Sequence, residues 1–161
     1  MLKQQIQKDL SEAVKQSNEI ARLTLRVLSS EISKKEKEKR YQLSKEKSVQ
    51  ELEELSTLTN EEIIDVISSE AKKRKEAISE FEKAGRDELV EKEKKELEIL
   101  QKYLPEQLTE EALEKTVKEV IESTGAETMK DMGKVMGQIM PKVKGRADGD
   151  QVSQVVKKLL E

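Results

Sequence analysis

The chain has 161 residues, 31 basic and 34 acidic, for a formal net charge of −3; 40% of its positions are charged and only 34% are hydrophobic. Three aromatics (Tyr41, Phe81, Tyr103) and no Trp, His or Cys exclude a thiol nucleophile, a disulfide framework, a Ser-His-Asp triad, an imidazole base and the usual zinc sites. Six Gly and two Pro are too few for a β-sandwich, and the Glu, Lys, Leu, Gln and Ser between them predict an all-α chain. No apolar run is long enough to span a bilayer. The opening MLKQQIQKDLSEAVKQ lacks the apolar core of a secretory signal, so the expected location is cytoplasmic.

In chain order, Leu2, Ile6, Leu10, Ala13 and Val14 recur at helical spacing and predict a first helix to about Ser17. Asn18 is placed to cap a second, which carries Ile20, Leu23, Val27, Leu28 and Ile32. The apolar stripe then stops. Residues 34–47 read KKEKEKRYQLSKEK, seven basic and three acidic, with only Tyr41 and Leu43 available for packing. The following SVQELEELSTL is acidic, with Val49, Leu52 and Leu55 three apart. A solvated helical extension, or a hairpin of two long helices, accounts for this stretch. The sharper alternative is a basic arm for nucleic acid, opposed by the acidic run that could pair with it.

Thr59-Asn60-Glu61-Glu62 fits a capping box, opening a helix whose inward positions are Ile63, Val66, Ile67, Ala71, Ile78 and Phe81. Glu70 and Arg74 read as a surface pair one turn apart, and Gly85 as the left-handed terminator. A fourth helix runs from Arg86 to about Tyr103, with Leu89, Val90, Leu97 and Leu100 inward, and Pro105 closes this half. Thr109 caps a fifth helix (Leu113, Val117, Val120, Ile121) that stops at Gly125. A sixth is expected over Asp131–Met140 and a seventh over Asp150–Leu160, where Val152, Val155, Val156, Leu159 and Leu160 share a face. The expected organisation is a subdomain of about four helices over 1–104, with a charged insert near 33–58, then a three-helix bundle over 105–161. At fewer than 60 residues the latter is expected to lean on the first half or to be modestly stable.

The chemistry concentrates in Met132–Gly149, MGKVMGQIMPKVKGRADG. Met129, Met132, Met136 and Met140 fall within about 80° of one another on a helix, a stripe that serves as adaptable core or as a partner-binding surface. Gly133 and Gly137, four apart, cost a helix about 1 kcal/mol each relative to alanine. Either a neighbouring helix packs tightly there, or a phosphate backbone or partner main chain approaches. Lys130, Lys134 and Gln138 face the other way. Pro141 ends or kinks the helix, and Lys142, Lys144 and Arg146 follow two apart around Gly145. Lys130 to Arg146 holds five basic residues against one acidic, +4, which leaves −7 on the rest of the chain. Cations in a glycine-containing loop beside a helix N-terminus suit phosphate, whereas Asp148-Gly149-Asp150 could cap that helix and fill the anion position itself. No cofactor motif, nucleotide-binding P-loop or catalytic constellation is present, so composition favours a binding module over an enzyme.

Three strings, FEKAGRDELVEKEKKELEIL (Phe81–Leu100), KYLPEQL (Lys102–Leu108) and DMGKVMGQIMPKVKGRADG (Asp131–Gly149), resemble the YqeY family, also called the GatB/YqeY domain. The resemblance runs through nearly the whole chain and is strong from about Ile63. It implies a multihelical N-terminal part followed by a three-helix bundle. The same module forms the tail of the B subunit of glutamine-dependent aminoacyl-tRNA amidotransferase, where it helps to hold tRNA while ATP-dependent activation occurs in another domain. The resemblance therefore implies binding of tRNA or a tRNA-handling protein, with Lys134, Lys142, Lys144, Gly145 and Arg146 as the part that would touch RNA, and the run of positive charge adds Lys130 to this candidate surface. It carries with it the family label of a carbon–nitrogen ligase with glutamine as amido-N-donor, for which these residues supply no activating group. The rival expectation is a protein–protein interaction module without RNA affinity. No metal, cofactor or membrane partner is expected. Ser33–Leu58 departs from the family in being longer and more charged than its usual linker.

Overall fold

The structure, a computed structural model, describes every residue except Glu46. Among the described residues it contains helices and turns and no strand. The helices are α1 (Leu2–Lys15), α2 (Glu19–Leu43), α3 (Val49–Leu55), α4 (Asn60–Lys83), α5 (Asp87–Gln101), α6 (Glu110–Thr124), α7 (Met132–Val143) and α8 (Gly149–Leu160), with a 3₁₀ turn at Met129–Asp131. None of the described helices is long and apolar enough to cross a membrane. The chain divides into two compact units, Met1–Tyr103 and Leu104–Glu161.

In the first unit α2 packs against α1, α4 and α5, and α4 and α5 form a helical hairpin. The core is built from Ile6, Leu25, Leu28, Ile32, Ile63, Ile67 and Leu100, all nearly inaccessible. Sequence and structure disagree on the rotation of α2. Leu23 and Val27, expected inward, are exposed together with Val14, and Leu25, Leu28 and Ile32 form the buried stripe instead. Leu89, also expected inward, is exposed.

Helix ends follow local chemistry. The amide of Asn18 donates to the Ala13 carbonyl and that of Ser17 to the Val14 carbonyl, a Schellman closure with Ser17 in the left-handed region at φ 55°. Asn18 then accepts from the amide of Ala21 to start α2. Gly85, at φ 65°, closes α4 by the same pattern. The expected capping box at Thr59 forms, Thr59 and Glu62 each accepting the other's amide hydrogen.

The charged stretch is not a hairpin of two long helices. The second helix extends unbroken to Leu43, and the return is the seven-residue α3, opened by a capping box between Ser48 and Glu51. Leu52 and Leu58 are buried. Lys39 reaches Glu62 at 2.8 Å, and the Leu58 amide donates to Glu36, which also pairs with Lys3 at 2.7 Å.

Arg74 does not form the expected surface pair with Glu70. It crosses the hairpin, with Nε 3.0 Å from Glu96 Oε2 and 3.4 Å from Glu93 Oε2, while Glu70 is buried and pairs with Lys73. The contact is Coulombic: neither Arg74 Nε nor Glu93 Oε2 makes a well-aligned hydrogen bond.

The second unit is α6, α7 and α8 around its own core of Leu113, Val117, Val120, Val135, Ile139, Val143, Val152, Val156 and Leu160. Thr109 caps α6 by accepting from the Ala112 amide, and Gly125, at φ 62°, ends it.

Candidate functional site

The outward side of α7 and the loop after it hold the residues singled out from the sequence. Helix α7 buries Val135, Ile139 and Val143, spaced four apart, so the methionines are not the centre of its core face. Met132 and Met136 pack at its margin, and Met129 and Met140 are 40% and 38% exposed. The helix also runs past its expected end at Met140, carrying Pro141 in its last turn. Pro141 has no N–H to offer the Gly137 carbonyl, which leaves that acceptor without its helical partner.

The glycines settle one alternative. Gly133 and Gly137 are exposed, and a Cβ built on either meets nothing within 4 Å. Among the described residues, no other helix of the second unit packs on them. The expectation of a tightly packed neighbouring helix is overturned within this unit.

The cations divide into committed and outward-facing groups. Lys134 Nζ donates to the Thr124 carbonyl at 2.6 Å, tying it to the C-terminus of α6, where its charge also favours the helix dipole. Arg146 Nε donates to the Glu106 carbonyl at 3.2 Å, which fixes its stem while the residue stays exposed. Lys130 and Lys142 are exposed. Lys144 is half-buried at the C-cap of α7. Gly145, at φ 70°, takes the left-handed conformation that turns the loop.

That loop is clasped to the entry of the unit. Gln107 Nε2 donates to the Gly145 carbonyl at 2.6 Å, and the Leu108 amide donates to the Arg146 carbonyl at 2.7 Å. Together with the Arg146–Glu106 bond, this joins Pro105–Leu108 to Gly145–Arg146, two of the strings that carry the family resemblance. Glu106, Gln107 and Leu108 were not singled out as partners of the loop, because a contact between residues 38 apart leaves no periodic trace in the sequence.

The anion position at the N-terminus of α8 is filled from within. Asp148 is the N-cap, and its carboxylate accepts from the Asp150 amide at 2.9 Å. The cap reading accounts for that end of the loop, and the exposed cations are Lys130 before α7, Lys142 in its last turn and Arg146 in the loop after it.

Asp131 buttresses the front of α7. Its carboxylate accepts from the amides of Glu127 and Thr128 and from the Thr128 hydroxyl at 3.1–3.2 Å. These bonds hold its carboxyl below the ordinary aspartate range, those from the Glu127 and Thr128 amides contributing most and the Lys134 charge less. A depressed folded value means stability present above the unfolded value and lost as pH falls through the folded one. Thermal melts of wild type and Asp131→Asn are expected to differ at neutral pH and to converge below about pH 4. A constant difference at all pH values would contradict this.

An all-helical chain in two units, with its distinctive residues gathered on α7 and the clasped loop, is the class of protein that these features define. A family model described as Yqey-like protein (YqeY) matches residues 3–160, and the chain belongs to that family. No curated protein matches the chain.

Proposed function

We propose that the chain is a binding module that holds tRNA through the outward side of α7 and the loop that follows. The observation that carries this reading is the open glycine pair. Two glycines inside one helix cost about 2 kcal/mol relative to alanine, and among the described residues nothing else in the second unit occupies the space they leave. An external backbone is the occupant that gives them a purpose. Exposed Lys130 just before α7, Lys142 in its last turn and Arg146 in the loop after it give this unit positive charge, which suits phosphates. The resemblance to the amidotransferase tail supplies tRNA as the ligand, and A-form RNA read by shape and phosphates needs no base-specific pocket.

The test is an anisotropy titration with an unmodified tRNA transcript at about 50 and about 200 mM salt. Lys142→Ala and Arg146→Ala are each expected to weaken binding and to flatten the log–log salt slope by roughly 0.7–0.9. Binding insensitive to salt and to both changes removes this surface from consideration.

Exposure of Met129 and Met140 favours a second reading, in which the same face docks a helix of a tRNA-handling protein. A partner captured after nuclease treatment, and lost with Met140→Glu, would select it.

A further inference from the structure

The charged end of α2 sets out a second group of residues that the binding surface on α7 does not use. Seven basic residues fall between Lys34 and Lys47. The acidic groups around them neutralise only part of this charge: Lys34 pairs with Glu31, Lys35 with Glu38, Lys39 with Glu62 and Lys47 with Glu51. Lys37 and Arg40 are exposed, and neither is in an ion pair with another described residue. They stand three residues apart on α2, with Tyr41 one turn beyond Lys37, so the three share one helix face. Tyr41 is 70% exposed, an uncommon position for a ring in a chain with three aromatics. Lys45 Nζ lies 5.6 Å from the Tyr41 ring centroid, a cation–π contact that steadies the ring and adds a third charge beside it.

We infer that Lys37, Arg40, Tyr41 and Lys45 form a second RNA contact, located on the first unit, in which an unstacked base lies on the free side of the Tyr41 ring and the three cations hold the flanking phosphates. Charge complementarity selects a polyanion. The ring selects RNA with a splayed base over a duplex presenting phosphates alone, because base–aromatic stacking needs an unpaired base. An anionic membrane surface, which the same cations would also attract, is an outcome that the experiment separates. Three aromatics exclude an extended stacking platform, but a single ring suffices for a single base. The inference does not rest on the α7 surface binding RNA.

The experiment uses the full chain and a fluorescently labelled single-stranded RNA oligonucleotide. Titrations compare wild type, Tyr41→Ala, Tyr41→Phe, Lys37→Glu/Arg40→Glu and Lys142→Ala/Arg146→Ala, with circular dichroism to verify folding. Tyr41→Ala is expected to weaken binding about five- to hundredfold. Tyr41→Phe, which keeps the ring, should stay close to wild type, and the double charge reversal should lose affinity and salt dependence together. Lys142→Ala/Arg146→Ala, which disarms the α7 surface, serves as a background: Tyr41→Ala and the charge reversal introduced into it should lower binding of this probe by the same factors as in wild type, so that failure here and failure of the α7 reading are told apart. Wild-type affinity in the double charge reversal overturns the inference. So does a loss on charge reversal that Tyr41→Ala does not share. Binding to phosphatidylserine vesicles that exceeds RNA binding and depends on the same residues also overturns it, in favour of a membrane surface.

Discussion

Arg74→Ala is expected to destabilise the first unit by about 3–5 kcal/mol, read as a lowered urea midpoint with an unchanged slope. The reason lies in what remains. Glu93 and Glu96 have side chains only 15% and 10% exposed, and Arg74 is the cation that faces both across the α4–α5 hairpin. Removing it strands two carboxylates in a poorly hydrated groove, a larger effect than losing an exposed pair, which is worth at most about 1 kcal/mol. Adding Glu93→Gln and Glu96→Gln to Arg74→Ala should recover much of the loss, since the amides carry no charge to strand. If the single variant costs no more than an exposed pair, the cluster has no such role.

Gly133→Ala and Gly137→Ala, combined, should stabilise the free protein by about 2 kcal/mol while abolishing binding at α7. The gain follows from helix propensity, because an added methyl at either position meets nothing within 4 Å. The loss follows from the proposal that another backbone comes close there, where even one methyl intrudes. Thermal melts and the tRNA titration read the two effects separately. A double variant that is more stable and binds tRNA like wild type would show that the open glycines serve no ligand. One that is less stable would contradict the packing account itself.

Local chemistry was the most legible part of the sequence. The Thr59 capping box, the left-handed Gly85, the stop at Gly125 and the Asn18 cap involve residues within a few positions of one another, and each is present. The amphipathic α8 could be read directly because its apolar positions leave a single inward face. Rotation of α2 was harder: Ile20, Leu23, Val27, Leu28 and Ile32 admit one stripe, and Leu25, Leu28 and Ile32 another. Burial selected the second, and only tertiary packing supplies that choice. In α7 the methionines drew attention by type, yet the branched Val135, Ile139 and Val143 fill the core centre and leave the longer, unbranched side chains at its edge. The box at Ser48–Glu51 has the spacing of the one at Thr59 and went unread amid the surrounding charge. Among the candidate site residues, sequence located the α7 cations and glycines. It could not reveal that Lys134 is spent on the Thr124 carbonyl or that Arg146 is braced by Glu106, since both bonds join separate segments.

The joint between Glu106–Leu108 and Gly145–Arg146 has a practical meaning for anyone dissecting the molecule. A fragment of the last three helices cut at Thr109, the boundary that helix capping suggests, would discard all three bonds that hold Gly145 and Arg146 to the preceding strand of chain. The excised piece would keep its helices and lose the pose of its arginine. Cloning has to begin upstream of Glu106, so that residues outside any helix travel with the bundle they brace.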